Sequence, residues 1–258
     1  MFIRSFLASA VVLTTAPVLA APAKKKLVIS NHSNHNLEWI SMTYEYGFSP
    51  ENTIIYDRTP NDYPKKSKIE HLGTIIKSPN VGSNPYDIGR YIVDHYDNLT
   101  DITIFIKGNL LQKPYSNEKK FKYALNSNWF VPIDGKVFRP ETKFYINDSI
   151  HIESTNLNYH IYESEVTDTK IYPRIKNFKE FVYDLFIIEK VPEYVWFCPA
   201  ANYVVPKNNI LKYSKNFYKK IMNYTDYNNN PIESHWFERI FQMAWQGCLE
   251  ENFSYIVE

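Results

Sequence analysis

Four short apolar runs, rich in β-branched residues, recur over residues 27–110 with polar connections between them. These runs are Leu27 to Ser30, Thr53 to Tyr56, Gly73 to Lys77 and Ile102 to Ile106. Connections long enough for a crossover are typical of parallel strands with helices packed on them. The pattern therefore predicts an α/β fold in which these four runs form a mainly parallel sheet.

The stretch between the third and fourth runs predicts a helix with one apolar face. Asn84 is the predicted N-cap, Pro85 takes the first helical position, and Asp87 falls in the first turn, where negative charge is favoured. Inward positions then follow at helical spacing: Ile88, Tyr91, Ile92, His95 and Leu99. A helix leading into a buried strand that ends in a polar turn is typical of ligand sites in open α/β sheets. An ordinary αβ unit with a satisfied turn is the alternative.

The second half of the chain is less regular. Residues 112–175 predict long loops plus a hairpin, and Phe178 to Ile188 fits either a helix or a strand. Val195 to Val205 reads as extended, and helical spacing then begins at Ile210 and continues to Ile221. A last helix opens at Asn230 and Pro231 and places Glu233 in the capping-box position.

Composition changes this picture only slightly. A net charge of +1 on 258 residues, with scattered lysines, gives no electrostatic case for binding nucleic acid. The 21 tyrosines and 16 phenylalanines suit sugars and planar ligands, because a tyrosine ring offers an apolar face and a hydroxyl. An AT-rich coding sequence would enrich tyrosine equally well, so composition alone decides nothing.

The N-terminus predicts export. Arg4 precedes an apolar run from Phe6 to Leu19, and Val18-Leu19-Ala20 fits a signal-peptidase site. Residues 1–20 are therefore predicted to be a signal peptide, with a retained anchor as the alternative. Membrane association is expected only if this segment stays uncleaved. The predicted location is the secretory pathway or another extracytoplasmic space, and the Golgi or endoplasmic reticulum lumen if the source is eukaryotic or viral.

Two cysteines, Cys198 and Cys248, fit an oxidising compartment. A disulfide between them is the first interpretation, and two separate buried thiols are the alternative.

Several segments together resemble a known family. They are Leu27-Val28-Ile29, Leu37-Glu38-Trp39, Asn80-Val81-Gly82, Tyr96 to Phe105, Ala200 to Val205, Phe217-Tyr218 and Glu238 to Phe241. This set resembles the domain-of-unknown-function family 3431, which is similar to nucleotide-sugar glycosyltransferases of the GT-A fold. The resemblance implies one GT-A-like domain over residues 27–250, with a Rossmann-like, mainly parallel sheet flanked by helices. It also implies a sugar-nucleotide cleft at the carboxyl edge of that sheet.

The resemblance assigns donor-binding roles to polar residues at that edge. The loop from Asn31 to Asn36 and the carboxylate of Asp57 would face the base and ribose, although Asp57 also suits a plain turn. Asn80 and Gly82 would lie beside the donor, where the following helix offers free N–H groups. Lys107, Gly108 and Asn109 end the fourth strand, where the donor diphosphate would lie.

One departure from the GT-A pattern concerns metal binding. Typical GT-A enzymes carry Asp-x-Asp after this strand to hold a divalent ion, whereas this chain has Lys107-Gly108-Asn109. The one acidic pair at that spacing, Glu163-x-Glu165, has no strand leading into it. Lys107 is therefore expected to face the diphosphate directly. The alternative is an exposed lysine in an inactive site. No cofactor is assigned, and Mn or Mg is left as an option without a motif to hold it.

An inverting transferase also needs a base for the acceptor hydroxyl. The matching C-terminal segment offers Glu238 and His235 as catalytic candidates, and Arg239 as a partner for Glu238 or for phosphate. Glu233 is more simply explained as a helix cap.

Two functions follow from the resemblance. The first is a glycosyltransferase that moves a sugar from a nucleotide-sugar donor to a glycan or protein acceptor. The second is a non-catalytic, exported carbohydrate-binding or interaction protein on a degenerate GT-A fold. A bacterial periplasm lacks nucleotide sugars and favours the second function, whereas a Golgi lumen supplies them and favours the first.

Overall fold

The computed structural model of the chain describes residues 21–32, 35–60, 69–112, 118–133, 144–146, 150–151, 178–186, 194–195, 198 and 201–246. The predicted signal peptide, Glu163-x-Glu165 and Cys248 lie outside these residues, and so does most of the region 134–177. The signal peptide and the disulfide therefore stay predictions. Cys198 itself is fully buried, with its Sγ 3.7 Å from the carbonyl oxygen of Asn202. No helix within the described residues is long and apolar enough to cross a membrane.

A six-stranded mixed sheet forms the centre of the molecule. Its strands are β1 (Lys25–Asn31), β2 (Thr53–Asp57), β3 (Thr74–Lys77), β4 (Ile102–Lys107), β5 (Val131–Pro132) and β9 (Tyr203–Pro206), in the order β3-β2-β1-β4-β9-β5. The strands β1 to β4 are all parallel, which confirms the prediction for residues 27–110. Beyond β4 the sheet continues with β9, which is antiparallel to β4, and then with β5, which is antiparallel to β9.

A second, smaller sheet is antiparallel. It consists of β6 (Phe144–Ile146), β7 (Ile150–His151) and β8 (Tyr194–Val195), with β6 in the middle. The β6–β7 pair agrees with the hairpin predicted within residues 112–175.

The described helices pack on the two faces of the large sheet. They are α1 (Ser83–His95), α2 (Glu118–Asn126), α3 (Phe178–Phe186), α4 (Lys207–Ile210), α5 (Lys215–Thr225) and α6 (Ile232–Gln246). Short 3-10 helices cover Glu38–Tyr46, Pro50–Asn52, Tyr96–Asn98 and Leu110–Gln112. Residues Phe178–Phe186, for which the sequence allowed a helix or a strand, are thus helical. The single helix predicted from Ile210 to Ile221 is divided in two, because Ser214 caps α5 by accepting a hydrogen bond from the N–H of Phe217.

Alternation along the strands creates one apolar core on each face. Val28, Tyr56 and Phe105 face the core that contains α1, α5 and α6, whereas Leu27, Ile55 and Ile104 face the core that contains α2. Successive side chains of a strand point to opposite faces, so both surfaces of the parallel strands are covered. Aromatic rings fill the first core, where Phe241 and Trp245 stack with centroids 4.7 Å apart.

Several local predictions are wrong. The long loops expected over residues 112–175 include a helix, α2. The N-cap of α1 is Gly82, with φ of +60°, and not Asn84, whose buried side chain instead donates to the carbonyl of Ala201. Pro85 is consequently the third residue of the helix rather than the first. The segment from Val195 to Val205 is not continuously extended either, because Ala201, two residues before β9, has a φ of +46°.

Candidate functional site

The strand order reverses between β1 and β4. The chain runs outward from β1 to β2 and β3, then returns through α1 to place β4 on the other side of β1. In open α/β sheets ligands bind beside the carboxyl ends of the strands at such a reversal, so the edge between β1 and β4 is the candidate crevice. The segments that follow β1 and β4 both pack on the face that carries α2 and contact each other, since the ring of Trp39 packs on Phe121 and its Nε1 donates to the carbonyl of Gly108. Asn31 ends β1 and Lys107 ends β4, so the sequence-predicted residues at these two positions share one edge of the sheet.

A polar network joins Asn31 to Asp57 at this edge. Oδ1 of Asp57 accepts hydrogen bonds from Nδ2 of Asn31 at 3.0 Å and from the backbone and hydroxyl of Thr59. Nζ of Lys77 lies 3.6 Å from Oδ2. Burial raises the pKa of Asp57, but the bonds from Thr59 and Asn31 and the charge of Lys77 outweigh it, so the pKa lies below its ordinary value. Asp57 therefore holds a turn, and its Oδ2 faces the ammonium group of Lys77.

Asn31 is the stronger ligand candidate at this position. Its side chain is 5 % exposed, and among the described residues its Oδ1 has no hydrogen-bond partner. A buried amide oxygen without a partner is costly, and a ligand N–H or O–H would relieve that cost. Sequence reasoning placed Asn31 in the base-facing loop but did not single it out.

The turn after β4 is tightly packed around Gly108. Its N–H donates to the carbonyl of Ser30 at 2.8 Å, and its carbonyl accepts from Nε1 of Trp39 at 2.9 Å. A methyl group at Gly108 would lie 2.7 Å from Nδ1 of His35 and 3.2 Å from Oδ1 of Asn31. The missing side chain therefore lets the β1 loop close over the turn.

Lys107 and Asn109 flank that glycine and are both partly exposed. The backbone N–H of Lys107 donates to Oδ1 of Asn202 at 2.7 Å. Strand alternation places the Lys107 side chain on the same face as Phe105, which is the face that carries α1 and α6. Lys107 thus lies at the crevice edge, on the same face of the sheet as α6, the helix that contains Glu238.

Two histidines form the loop above Gly108. The N–H of His32 donates to Nδ1 of His35 at 3.1 Å, so that ring nitrogen carries no proton. Partial burial and the charge of Arg58 lower the pKa of His32, against the opposing effect of Asp57. A His32 side chain that is neutral near pH 7 can accept or donate a hydrogen bond at the crevice.

A buried ion pair between Arg58 and Asp87 lies next to this edge of the sheet, and the sequence analysis did not predict it. Nε of Arg58 lies 3.3 Å from Oδ2 of Asp87, outside hydrogen-bond geometry, and both side chains are nearly inaccessible. Ser78 donates to Oδ1 of the same carboxylate at 2.6 Å. Burial raises the pKa of Asp87 to about 6, against the charge of Arg58 and the hydrogen bonds from Ser78 and Ser30. Asp87 thus ties the ends of β2 and β3 to α1. The prediction that it falls in the first turn of the helix is wrong, because α1 begins at Ser83 and its first turn contains no acidic residue.

The start of α1 does not offer the expected N–H groups. Gly82 and Ser83 donate their N–H groups to the carbonyls of Asn228 and Asn229, and the N–H of Tyr86 bonds to Gly82. The expectation that this helix presents free donors is therefore wrong for these residues. Asn80 is exposed and Gly82 is buried, and their predicted donor-binding roles stay predictions.

The catalytic candidates lie on α6, which begins near the same edge. Ser234 donates from Oγ to the carbonyl of Gly82, and Oη of Tyr203 donates to the carbonyl of Glu238. Nδ1 of His235 lies 3.9 Å from Oε2 of Glu238, and both side chains are mostly buried. The backbone of Arg239 continues the helix. Glu233 is buried and accepts a 2.5 Å hydrogen bond from Tyr227.

The residues at the end of β4 do not fit a divalent metal. Lysine, glycine and asparagine follow one another there, and an ammonium group repels the cation that a carboxylate pair would bind. No cluster of three or more histidine, cysteine, aspartate or glutamate side chains in the described part of the chain has metal-binding geometry.

The fold defines an α/β protein with a mostly parallel mixed sheet, whose polar carboxyl edge lies at the point where its strand order reverses. The chain belongs to the family described as protein of unknown function (DUF3431), whose model matches residues 27–256. This match confirms the family suggested by the sequence segments. A search of the curated proteins found no match.

Proposed function

We propose that this protein is a glycosyltransferase of GT-A type that binds a nucleotide sugar in the crevice between β1 and β4. The sugar would be transferred to a glycan or protein acceptor without help from a carboxylate-bound metal. The observation that carries the proposal is the strand reversal that places Asn31, Asp57 and Lys107 at one edge.

The chemistry of this edge suits the two ends of a nucleotide sugar. Oδ1 of Asn31 and Oδ2 of Asp57 are acceptors, and they match the N–H groups of a base and the hydroxyls of a ribose. The ammonium group of Lys107 supplies positive charge for the diphosphate, in the place where other enzymes hold a metal. Oδ1 of Asn202 accepts a 2.7 Å hydrogen bond from the N–H of Lys107 and so positions the backbone from which the lysine side chain extends.

The transfer step needs a base and a leaving group. Glu238 would take the proton of an acceptor hydroxyl, whose oxygen attacks the anomeric carbon of the sugar. The bond from that carbon to the diphosphate breaks, and its electron pair leaves with the nucleoside diphosphate. His235, 3.9 Å from Glu238, would orient the carboxylate or receive the proton from it.

The second candidate function is the non-catalytic carbohydrate-binding or interaction protein. The observation that favours it is the closed start of α1, where Asn228 and Asn229 occupy the N–H groups of Gly82 and Ser83. A helix start used in this way supplies no backbone donors to a phosphate.

Calorimetry with a panel of UDP- and GDP-sugars, with and without manganese, tests the proposal. Replacing Lys107 with alanine should weaken donor binding by about tenfold or more, as expected for a hydrogen bond to a charged group. Glu238→Gln should leave donor binding unchanged and reduce transfer, because the base acts on the acceptor. Lys219→Ala, which removes an exposed lysine of α5, is the matched control.

Two results would contradict the proposal in different ways. If no donor binds, the non-catalytic function is favoured over the transferase. If binding requires manganese, the role assigned to Lys107 is wrong.

A further inference from the structure

A cavity lies at the opposite, amino edge of the parallel strands. Its volume is about 740 Å³, which is within the range of small-molecule sites. Residues at the starts of three strands line it, namely Lys25 and Lys26 of β1, Asn52 before β2 and Thr100 before β4. The cavity is separate from the crevice, because the parallel strands run between the two edges.

The lining carries positive charge. Lys24, Lys25 and Lys26 all contribute to it, and no carboxylate of the described residues does. Strand alternation points Lys25 and Lys26 to opposite faces of β1, so their charges reach the cavity from the two sides of the sheet edge. Partial burial also lowers the pKa of Lys25 and of Lys26, so these ammonium groups are less well solvated than exposed ones.

Two of the lysines are held in place by backbone groups. Nζ of Lys25 donates to the carbonyls of Leu125 and Ser127, at the end of α2, at 2.7 and 3.2 Å. Nζ of Lys26 donates to the carbonyl of Glu51 at 3.1 Å. An ammonium group has three donors, so in the described structure these bonds leave one N–H of Lys25 and two of Lys26 for a ligand.

The remaining lining suits a polyhydroxylated molecule. Asn52, Asn126 and Asn128 bring amide groups that both donate and accept hydrogen bonds, and Thr100 brings a hydroxyl. Tyr46 adds an aromatic ring, whose face suits the C–H surface of a sugar. Ammonium and amide groups that line the same cavity can together bind a sugar that carries a negative charge.

We propose that the amino-edge cavity is a second binding site, specific for anionic saccharides that carry a carboxylate or a phosphate. The charge of Lys24 and Lys26 would hold the anionic group, and the asparagines would hold the hydroxyls. This site is independent of the proposed transferase function, since no residue of the crevice lines it.

Calorimetry on the full chain tests this site with four probes: glucuronate, glucose 6-phosphate, glucose and inorganic phosphate. Glucuronate and glucose 6-phosphate show whether the anionic group is a carboxylate or a phosphate. We expect at least one of the two to bind. Glucose should bind at least tenfold more weakly, because it lacks the charge, and inorganic phosphate also more weakly, because it lacks the hydroxyls.

Variants assign the binding to this cavity. Lys26→Gln should weaken the anionic sugar by about tenfold, the usual effect of losing a bond to a charged group. Lys24→Gln should weaken binding of the anionic sugar as well. Because the Lys24 side chain is exposed, we expect this variant to fold normally. Lys107→Ala and the control Lys219→Ala should both leave the affinity unchanged.

Several results would overturn the proposal. The second-site proposal fails if neither glucuronate nor glucose 6-phosphate binds. It also fails if glucose or inorganic phosphate binds as tightly as these anionic sugars. It also fails if Lys107→Ala abolishes binding while Lys24→Gln and Lys26→Gln, shown to be folded by thermal unfolding, do not. That last pattern would place the anionic sugar in the crevice and leave the transferase proposal standing.

Discussion

Replacing Gly108 with alanine tests how closely the β1 loop packs on the turn after β4. The new Cβ would lie 2.7 Å from Nδ1 of His35 and 2.9 Å from Cδ2 of Leu37. Ordinary van der Waals contact requires several tenths of an ångström more at each atom. Both atoms belong to side chains of the loop after β1, so these side chains, or the loop that carries them, must shift to make room.

The expected cost follows from three effects. Overpacking of this kind costs about 1–3 kcal/mol, and weakening the 2.9 Å bond from Trp39 to the Gly108 carbonyl adds about 1 kcal/mol. Alanine also restricts the unfolded chain, which offsets about 0.4–1 kcal/mol. We therefore expect Gly108→Ala to lower the free energy of unfolding by about 1–3.5 kcal/mol. In a protein of this size each kcal/mol corresponds to roughly 2–4 °C in Tm.

Urea denaturation, followed by tryptophan fluorescence, measures this difference. Gly47→Ala is the matched glycine control, because a Cβ there meets no atom within 4 Å and only its φ of +82° opposes the change. The Gly108→Ala cost should shrink in a His35→Ala background, where the nearest atom is gone. An unchanged stability, or an equal cost in both backgrounds, would refute the packing argument.

Three further predictions concern the supports of the crevice. The folded Asp87 carboxyl keeps its proton up to about pH 6, whereas an unfolded aspartate loses it near pH 4, so this group contributes stability that is lost as the pH rises through that window. Asp87→Asn should flatten the change in unfolding free energy between pH 4 and 6, and an unaltered slope would contradict this. Asn202→Ala should cost about 1–3 kcal/mol in urea denaturation by removing the acceptor of the Lys107 N–H, and no cost would contradict the contact. Ser234→Ala removes the 2.8 Å bond to Gly82 and should speed amide exchange at the start of α1 by about fivefold, the equivalent of about 1 kcal/mol, whereas unchanged exchange would count against this anchor.

Several features of the site were visible in the sequence because they are local. Asp57 and Lys107 each end an apolar run, and residues at strand ends meet when the strands are parallel. Gly108 stood out as a glycine in a polar turn, although its packing against His35 did not. The role of Asn31 was only partly visible, since a buried oxygen without a partner is a property of the folded neighbourhood.

Other parts of the site depend on contacts between distant segments. Arg58 and Asp87 are separated by β3 in the sequence, and only the packing of α1 against the sheet pairs them. The loop between α5 and α6 occupies the N–H groups of Gly82 and Ser83, which moved the N-cap away from the predicted Asn84. The helix itself was predicted correctly, because its apolar spacing is independent of that loop.

The sequence by itself determined the four parallel strands, the helices α1 and α6 and the family, because periodicity, crossover length and segment identity are carried by neighbouring residues. Tertiary structure decided that β9 joins the sheet antiparallel to β4, that β5 pairs with the far side of β9, and that a lysine-lined cavity forms at the amino edge. It also decided which polar groups at the crevice keep a partner. These features arise where segments far apart in the chain compete for the same hydrogen bonds and the same volume, and local patterns do not record the outcome of that competition.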